Sequence, residues 1–157
     1  MQGRETGQPG QKMAANYIAN FFKEIGIPPY KYNSYFQKFK VKTVKRYGKW
    51  KWDKKGFLEK MLNNNYIRGE NIIGFIEGSD LKNEIVVITA HYDHLGVKDS
   101  LIYNGADDNG SGTVAIMEIA EAFMLAKKEG KGPRRSILIM PVSAEEKGLL
   151  GSKYCLL

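Results

Sequence analysis

The chain has 157 residues, of which 43% are hydrophobic and 26% are charged, with two His and a single Cys155. These proportions are those of a globular domain with a hydrophobic core, so a disordered or collagen-like chain is excluded. No apolar run approaches the length of a membrane-spanning helix, and the first residues lack the apolar stretch of a signal peptide.

The net charge of +7 comes from one segment of the chain. Residues 38–60 carry ten Lys and Arg against two acidic residues, a net charge of +8, whereas the other residues together have a net charge of −1. In this basic segment, Lys49-Trp50-Lys51-Trp52 alternates cations with aromatic rings, which is compatible with binding single-stranded nucleic acid or an anionic surface. A solvated edge strand and loop explain the same charges, and we favour that interpretation, so no nucleic-acid partner is predicted.

The first predicted element is a helix from about residue 8 to residue 25. Apolar side chains recur every four residues from Met13 and Tyr17 onwards, which places them on one helix face. Gly26 fits the position after a helix end, and the prolines that follow it prevent continuation. Residues 36–44 then alternate apolar side chains with lysines, which predicts a half-exposed or edge strand.

Three apolar runs, at residues 71–76, 84–90 and 136–142, predict further strands. The second and third runs are continuously apolar, which is typical of strands covered on both faces of a sheet. Between them, residues 111–129 predict a helix that is apolar nearly all round, so we expect it to be largely buried. The order strand, helix, strand indicates a right-handed crossover and an α/β fold. Another helix is expected to begin at about Gly151.

Polar clusters flank these elements. They are His91-Tyr92-Asp93-His94 after the second run, Asp107-Asp108 before the helix, and Glu145-Glu146 after the third run. Because open α/β sheets bind ligands at the carboxyl ends of their strands, we expect the clusters to meet there. Their carboxylates would repel one another without a cation, and mixed His and carboxylate ligands suit Zn²⁺, or Mn²⁺ or Co²⁺, better than Ca²⁺. Taken singly, each cluster also fits a structural role: a satisfied histidine, a turn, or a solvated charge pair.

With the opening Gly3-Arg4-Glu5-Thr6-Gly7-Gln8-Pro9-Gly10, these clusters resemble the co-catalytic dizinc aminopeptidases of peptidase family twenty-eight. That family also contains glutaminyl cyclases and glutamate carboxypeptidases. The resemblance implies a three-layer α/β/α sandwich with a mixed, largely parallel central sheet, of the phosphorylase/hydrolase-like type. It also implies that residues 1–157 are the N-terminal part of one zinc-peptidase catalytic domain, truncated at its C-terminus, with the basic segment 38–60 within it.

The resemblance assigns roles to five residues. His91, Asp108 and Glu146 match zinc ligands, with Asp108 bridging the two ions of a complete site. Asp93 matches a carboxylate that orients the imidazole of His91 at hydrogen-bond distance, and Glu145 matches the general base. The bond that follows Asp108 is expected to be a non-proline cis peptide.

The second zinc of that family takes an Asp and a His from sequence beyond Glu146, where only 11 residues follow here. His94 could be offered as a substitute ligand, but we interpret it as a structural or rim residue. We therefore expect this chain to bind at most one Zn²⁺, weakly, and to be inactive alone.

The implied function of the complete protein is that of a metal-dependent exopeptidase of the aminopeptidase type, acting on peptides through an activated water with Glu145 as base. Two alternatives stay open: glutaminyl cyclisation on the same scaffold, and a non-catalytic peptidase-like binding domain. The resemblance also implies an extracellular or periplasmic location. The residues indicate no oligomeric state.

Overall fold

The computed structural model describes residues 1–31, 33–42, 44–46, 49–51 and 66–155, so the basic segment lies partly outside the described residues. Its helices are α1 (Pro9–Ile25), α2 (Ser111–Lys128) and α3 (Leu150–Cys155). Its strands are β1 (Phe36–Lys42), β2 (Val44–Arg46), β3 (Lys49–Lys51), β4 (Tyr66–Ile72), β5 (Gly74–Ile76), β6 (Leu81–His91), β7 (Gly96–Lys98), β8 (Leu101–Tyr103) and β9 (Arg135–Val142). None of the described helices combines the length and the hydropathy that crossing a membrane requires.

Helix α1 confirms the first predicted element. Pro9 begins the helix, where its missing N–H costs no hydrogen bond, and Gly26 ends it in the left-handed conformation with φ of 85°. The buried face carries Ala14, Ala15, Ile18, Ala19 and Phe22. Met13 and Tyr17, expected on the apolar face, are more than half exposed because the smaller alanines make the close contacts with the core.

The central sheet has the strand order β5-β9-β6, with β5 antiparallel and β6 parallel to β9. This mixed sheet confirms the predicted α/β class. Strand β9 is buried from Ser136 to Val142, as its continuous apolar run predicted. The same prediction is wrong for β6, where Ile85, Val86 and Val87 are 41–49% exposed. Within the described residues β6 pairs only with β9, so its other side has no neighbouring strand.

A two-stranded antiparallel ribbon of β1 and β4 lies beside this sheet. Phe39 and Val41 are buried while Lys38 and Lys40 are exposed, which confirms the alternating strand predicted there. The run predicted as one strand at residues 71–76 is divided between β4 and β5. At the division, the Ile73 N–H donates to the Tyr35 carbonyl (2.8 Å) instead of pairing in either ladder.

Helices α1 and α2 pack with the sheet in the main hydrophobic core, which includes Ile137 and Ile139 of β9. The intervening residue Leu138 points to the opposite face, where the apolar side chains pack with Phe75 and Cys155. Helix α2 is less buried than expected. Its inner positions Ile116, Met117 and Ala120 are buried, whereas Val114 and Leu125 are 56% and 54% exposed.

Candidate metal centre

Strands β6 and β9 end side by side and so bring two of the polar clusters together. His91, the last residue of β6, pairs in register with Val142, the last residue of β9. The Tyr92 N–H then donates to the Val142 carbonyl (2.9 Å), so the following loops leave the same edge. Thr113, in the first turn of α2, donates its hydroxyl to the His91 carbonyl (3.0 Å). This bond brings the loop that precedes α2 to the same place.

His91 and Asp108 are in direct contact at this edge. His91 Nε2 lies 3.0 Å from Asp108 Oδ1. His91 Nδ1 lies 3.2 Å from the backbone carbonyl of Asp93. A proton on Nδ1 would be donated to that carbonyl, which leaves Nε2 unprotonated and free to bind a metal. The bond between Asp108 and Asn109 is a cis peptide, as the resemblance implied.

Glu146 lies at the same edge of the sheet and contacts His94, which we did not predict to be a ligand. His94 Nδ1 lies 2.8 Å from Glu146 Oε1. One ligand atom each from His94, Asp108 and Glu146 lie within 4.8 Å of one another. His94 therefore belongs to the cluster, in contrast to our interpretation of it as a rim residue. In the sequence, only its position three residues after His91 pointed to this role. His94 lies in a loop, and the orientation of a loop side chain cannot be predicted from a periodic pattern.

Glu145 lies at the solvent side of the cluster. Its Oε2 atom is 4.0 Å from His91 Nε2, and its side chain is 33% exposed. Asp107, the neighbour of the proposed bridging residue, instead accepts a hydrogen bond from the Ser111 hydroxyl through its backbone carbonyl (3.1 Å).

Asp93 is fully buried behind the cluster. Its Oδ2 accepts a hydrogen bond from the Thr6 hydroxyl (2.8 Å), and its Oδ1 accepts one from the Glu145 N–H (3.2 Å). Oδ1 is 3.7 Å from His91 Nδ1, so the carboxylate does not make the hydrogen bond that we expected with the imidazole. Burial raises the pKa of the Asp93 carboxyl, and the hydrogen bonds from Thr6 and Glu145 oppose that shift.

These side chains fit a zinc ion. Zn²⁺ is bound in proteins by imidazole nitrogens and carboxylate oxygens, usually four in number, at about 2.0–2.2 Å. His94, Asp108 and Glu146 offer one nitrogen and two oxygens close enough to share an ion. His91 is outside this group of three and lies beside it, with its Nε2 atom against Asp108 Oδ1. The convergence of carboxylates there would be repulsive without a cation between them. Whether each of these residues is a ligand stays a prediction.

Comparison with known proteins gives matches over most of the chain. The sequence profile of Peptidase family M28 matches residues 71–156, which is more than half of the chain. Leucine aminopeptidase 1 of Fusarium vanettenii is 45% identical over 87 residues, which are 53% of this chain and 21% of that protein. Probable glutamate carboxypeptidase LAMP1 of Arabidopsis thaliana is 37% identical over 98 residues, 59% of this chain and 13% of that protein. Overall, the chain spans 12–21% of the length of these curated relatives.

Solved structures share the fold. A zinc aminopeptidase from Bacillus subtilis aligns with a TM-score of 0.67 at 17% identity, over 98% of this chain and 60% of that one. A glutaminyl cyclase from Fimbriiglobus ruber aligns with a TM-score of 0.62 at 15% identity, over 90% of this chain and 40% of that one.

Proposed function

The chain belongs to peptidase family M28, and we propose that it supplies part of the active site of a zinc exopeptidase that removes N-terminal residues from peptides. The observation that carries this proposal is the grouping of His94, Asp108 and Glu146 at one edge of the sheet, with His91 in contact with Asp108 and close to Glu145. The relative named leucine aminopeptidase, at 45% identity, supports the aminopeptidase reaction. In this proposal residues 1–157 are the N-terminal part of one catalytic domain.

His91, Asp108 and Glu146 would hold zinc, with Asp108 between two ions in a complete site and His94 as a further ligand. When bound, zinc supplies Lewis acidity, which polarises a scissile carbonyl and makes water a better nucleophile. Glu145, whose side chain is 33% exposed, would accept a proton from water and pass it to the leaving amine. Asp93 holds the loop of His91 and the backbone of Glu145 in place from behind.

The described residues offer enough ligands for one ion. A second ion would need ligands beyond His91, His94, Asp108 and Glu146, so we propose that the two-zinc site is completed by further sequence of the whole protein. An extracellular or periplasmic location rests on the resemblance to exported peptidases and remains part of the proposal.

Glutaminyl cyclisation is the second candidate reaction, because a glutaminyl cyclase shares the fold. It needs a metal and a proton-transferring carboxylate, as peptide hydrolysis does, so the residues described here serve either reaction. A non-catalytic binding domain is disfavoured, since such a domain has no chemical need to keep Glu145 together with His91, Asp108 and Glu146. Assays of the whole protein with an aminoacyl-anilide and with an N-terminal glutaminyl peptide separate the three functions.

The assignment of base and ligand is tested by replacing the two neighbouring glutamates in the whole protein. Glu145→Gln should lower kcat by about 10²–10⁴-fold with unchanged zinc content, because it removes only the proton acceptor. Glu146→Gln should lose zinc. Glu118→Gln, at an exposed position of α2, is the matched control and should change neither. Exchanged phenotypes, or full activity of Glu145→Gln, would contradict the assignment.

A further inference from the structure

Arg4 connects two loops of the candidate metal centre. Its guanidinium donates to three backbone carbonyls: Nε to Tyr92 (2.7 Å), Nη1 to Asn104 (2.7 Å) and Nη2 to Gly105 (2.9 Å). The first carbonyl lies between His91 and Asp93, and the other two lie in the loop that leads to Asp108. A single planar side chain thus joins the two loops whose side chains meet in the contact between His91 and Asp108.

Thr6 connects the third loop. Its hydroxyl donates to Asp93 Oδ2 (2.8 Å) and accepts from the Ala144 N–H (3.0 Å), the residue before Glu145. Thr6 is only 7% exposed, so both bonds are shielded from water. Removing the hydroxyl would leave a buried carboxylate oxygen and a buried N–H without one hydrogen-bond partner each. The free-energy cost of these unsatisfied groups is larger than the net stabilisation that the two hydrogen bonds provide.

The rest of this N-terminal segment also lies against the site. The His94 N–H donates to the Arg4 carbonyl (3.3 Å), and Glu5 pairs with Lys147 (2.7 Å). Gly3 has φ of 71°, and a Cβ atom there would lie 2.2 Å from the Gly96 carbonyl oxygen. Only glycine therefore permits this close approach to the loop that carries His94.

We propose that Arg4 and Thr6, here named the N-terminal clasp, are positioning residues that set the distances between the three loops of the candidate metal centre. This inference rests on the proposed function for the identity of the ligands. The hydrogen bonds of both residues go to Asp93 and to backbone groups, so the clasp acts through these. The loops carry carboxylates that repel one another without a cation. By holding these loops together, the clasp keeps the ligand atoms near their bound geometry and lowers the cost of ordering them.

The clasp is tested with Thr6→Val, which keeps the shape of the side chain and removes its hydroxyl. Co²⁺ is the probe, and its affinity for the whole protein is measured by visible absorption, whose bands also report coordination geometry. We expect Thr6→Val to weaken Co²⁺ binding by about 10–100-fold, the usual effect of losing a group that orients ligands. Thr6→Ser should restore the affinity and the spectrum, because it restores the hydroxyl.

Ser136 supplies the matched control. Its fully buried hydroxyl also bridges two segments, donating to the Lys82 carbonyl (2.7 Å) and accepting from the Gly78 N–H (3.1 Å), at the opposite end of β9. Ser136→Ala removes a comparable pair of bonds, and should leave Co²⁺ affinity unchanged at a temperature where circular dichroism shows every variant folded. Equal losses in Ser136→Ala and Thr6→Val would show that affinity follows overall stability, which would overturn the proposal.

Hydrogen exchange tests the clasp without a metal. Arg4→Lys keeps the charge but cannot reach three carbonyls, so amide exchange should speed up in residues 91–96 and 104–110. Thr6→Val should speed it up in residues 91–96 and 143–149. Exchange in residues 85–90 of β6 and 136–141 of β9 should stay unchanged in both. Unchanged exchange in the loops would refute the clasp. A wild-type whole protein that binds no Co²⁺ would instead contradict the proposed function, and hydrogen exchange would then decide on the clasp alone.

Discussion

Tyr92 is a buried residue next to the site, and its hydroxyl oxygen takes part in two hydrogen bonds. Its side chain is 1% exposed, and its hydroxyl donates to the Glu70 carbonyl (2.6 Å) and accepts from Gln11 Nε2 (2.5 Å). Burial raises the pKa of this hydroxyl, which stays protonated and able to donate. It therefore ties α1 and β4 to the end of β6.

Replacing this hydroxyl tests its contribution to stability. Tyr92→Phe should lower the free energy of unfolding by about 1–3 kcal/mol, because the buried amide of Gln11 loses its acceptor. Urea unfolding followed by circular dichroism measures the change. Tyr17→Phe, at a position 59% exposed, is the control and should shift stability by less than about 0.5 kcal/mol. Similar effects of the two substitutions would contradict the role given to Tyr92.

Whether His94 is a metal ligand or a rim residue can be tested by substitution. The chain has only two histidines, so single variants separate the contributions of the imidazoles completely. We expect His94→Ala and His91→Ala each to weaken Co²⁺ binding by at least about tenfold, since each removes a coordinating nitrogen. Absorption titration measures both. If His94→Ala bound Co²⁺ like the wild type while His91→Ala did not, His94 would be a rim residue after all.

At the scale of elements, β6 combines an apolar composition with an open edge. Ile85, Val86 and Val87 are 46%, 41% and 49% exposed, and β6 has one strand neighbour within the described residues. An exposed apolar edge strand offers unpaired backbone groups to another chain, and a charged side chain on such an edge discourages that pairing.

Self-association of the 157-residue chain should therefore depend on this edge. We expect the wild-type chain to associate as its concentration rises, and Val86→Lys to reduce that association, as measured by sedimentation velocity. Leu101→Lys on β8, at a position 65% exposed, adds the same charge away from this edge and is the control. A chain that stays monomeric at all concentrations, or equal effects of the two substitutions, would show that the β6 edge does not drive association.

For the molecule as a whole, the ligands found among the described residues limit what we expect the 157-residue chain to do. His94, Asp108 and Glu146 could share one ion, and His91 lies against Asp108 beside them. We expect titration calorimetry with Zn²⁺ to give at most one site per chain, and we expect no turnover of an aminoacyl-anilide by this chain. Two tight zinc sites, or steady turnover, would show that the described residues are not the whole of the ligand set.

The sequence by itself determined the helices and the two parallel strands β6 and β9, and it predicted the edge at which the polar clusters meet. The apolar period of α1, its proline start and its glycine end are local properties, so its bounds were predicted nearly to the residue. The meeting of His91 with Asp108 was expected because parallel strands deliver their carboxyl ends to one edge, with Asp108 held there just before the connecting helix. The roles of the individual residues came only from the resemblance to a family and remain to be tested.

Only the tertiary structure decided which apolar surfaces are covered and what holds the site together. Periodicity cannot tell a central strand from an edge strand, since that depends on the neighbours, and so the exposure of β6 was missed. The position of His94 and the contacts of Arg4 and Thr6 were missed for a related reason. Thr6 and Ala144 meet across 138 positions of sequence. Contacts between loops so distant in sequence arise from the packing of the whole chain, and they cannot be predicted from a local pattern of residues.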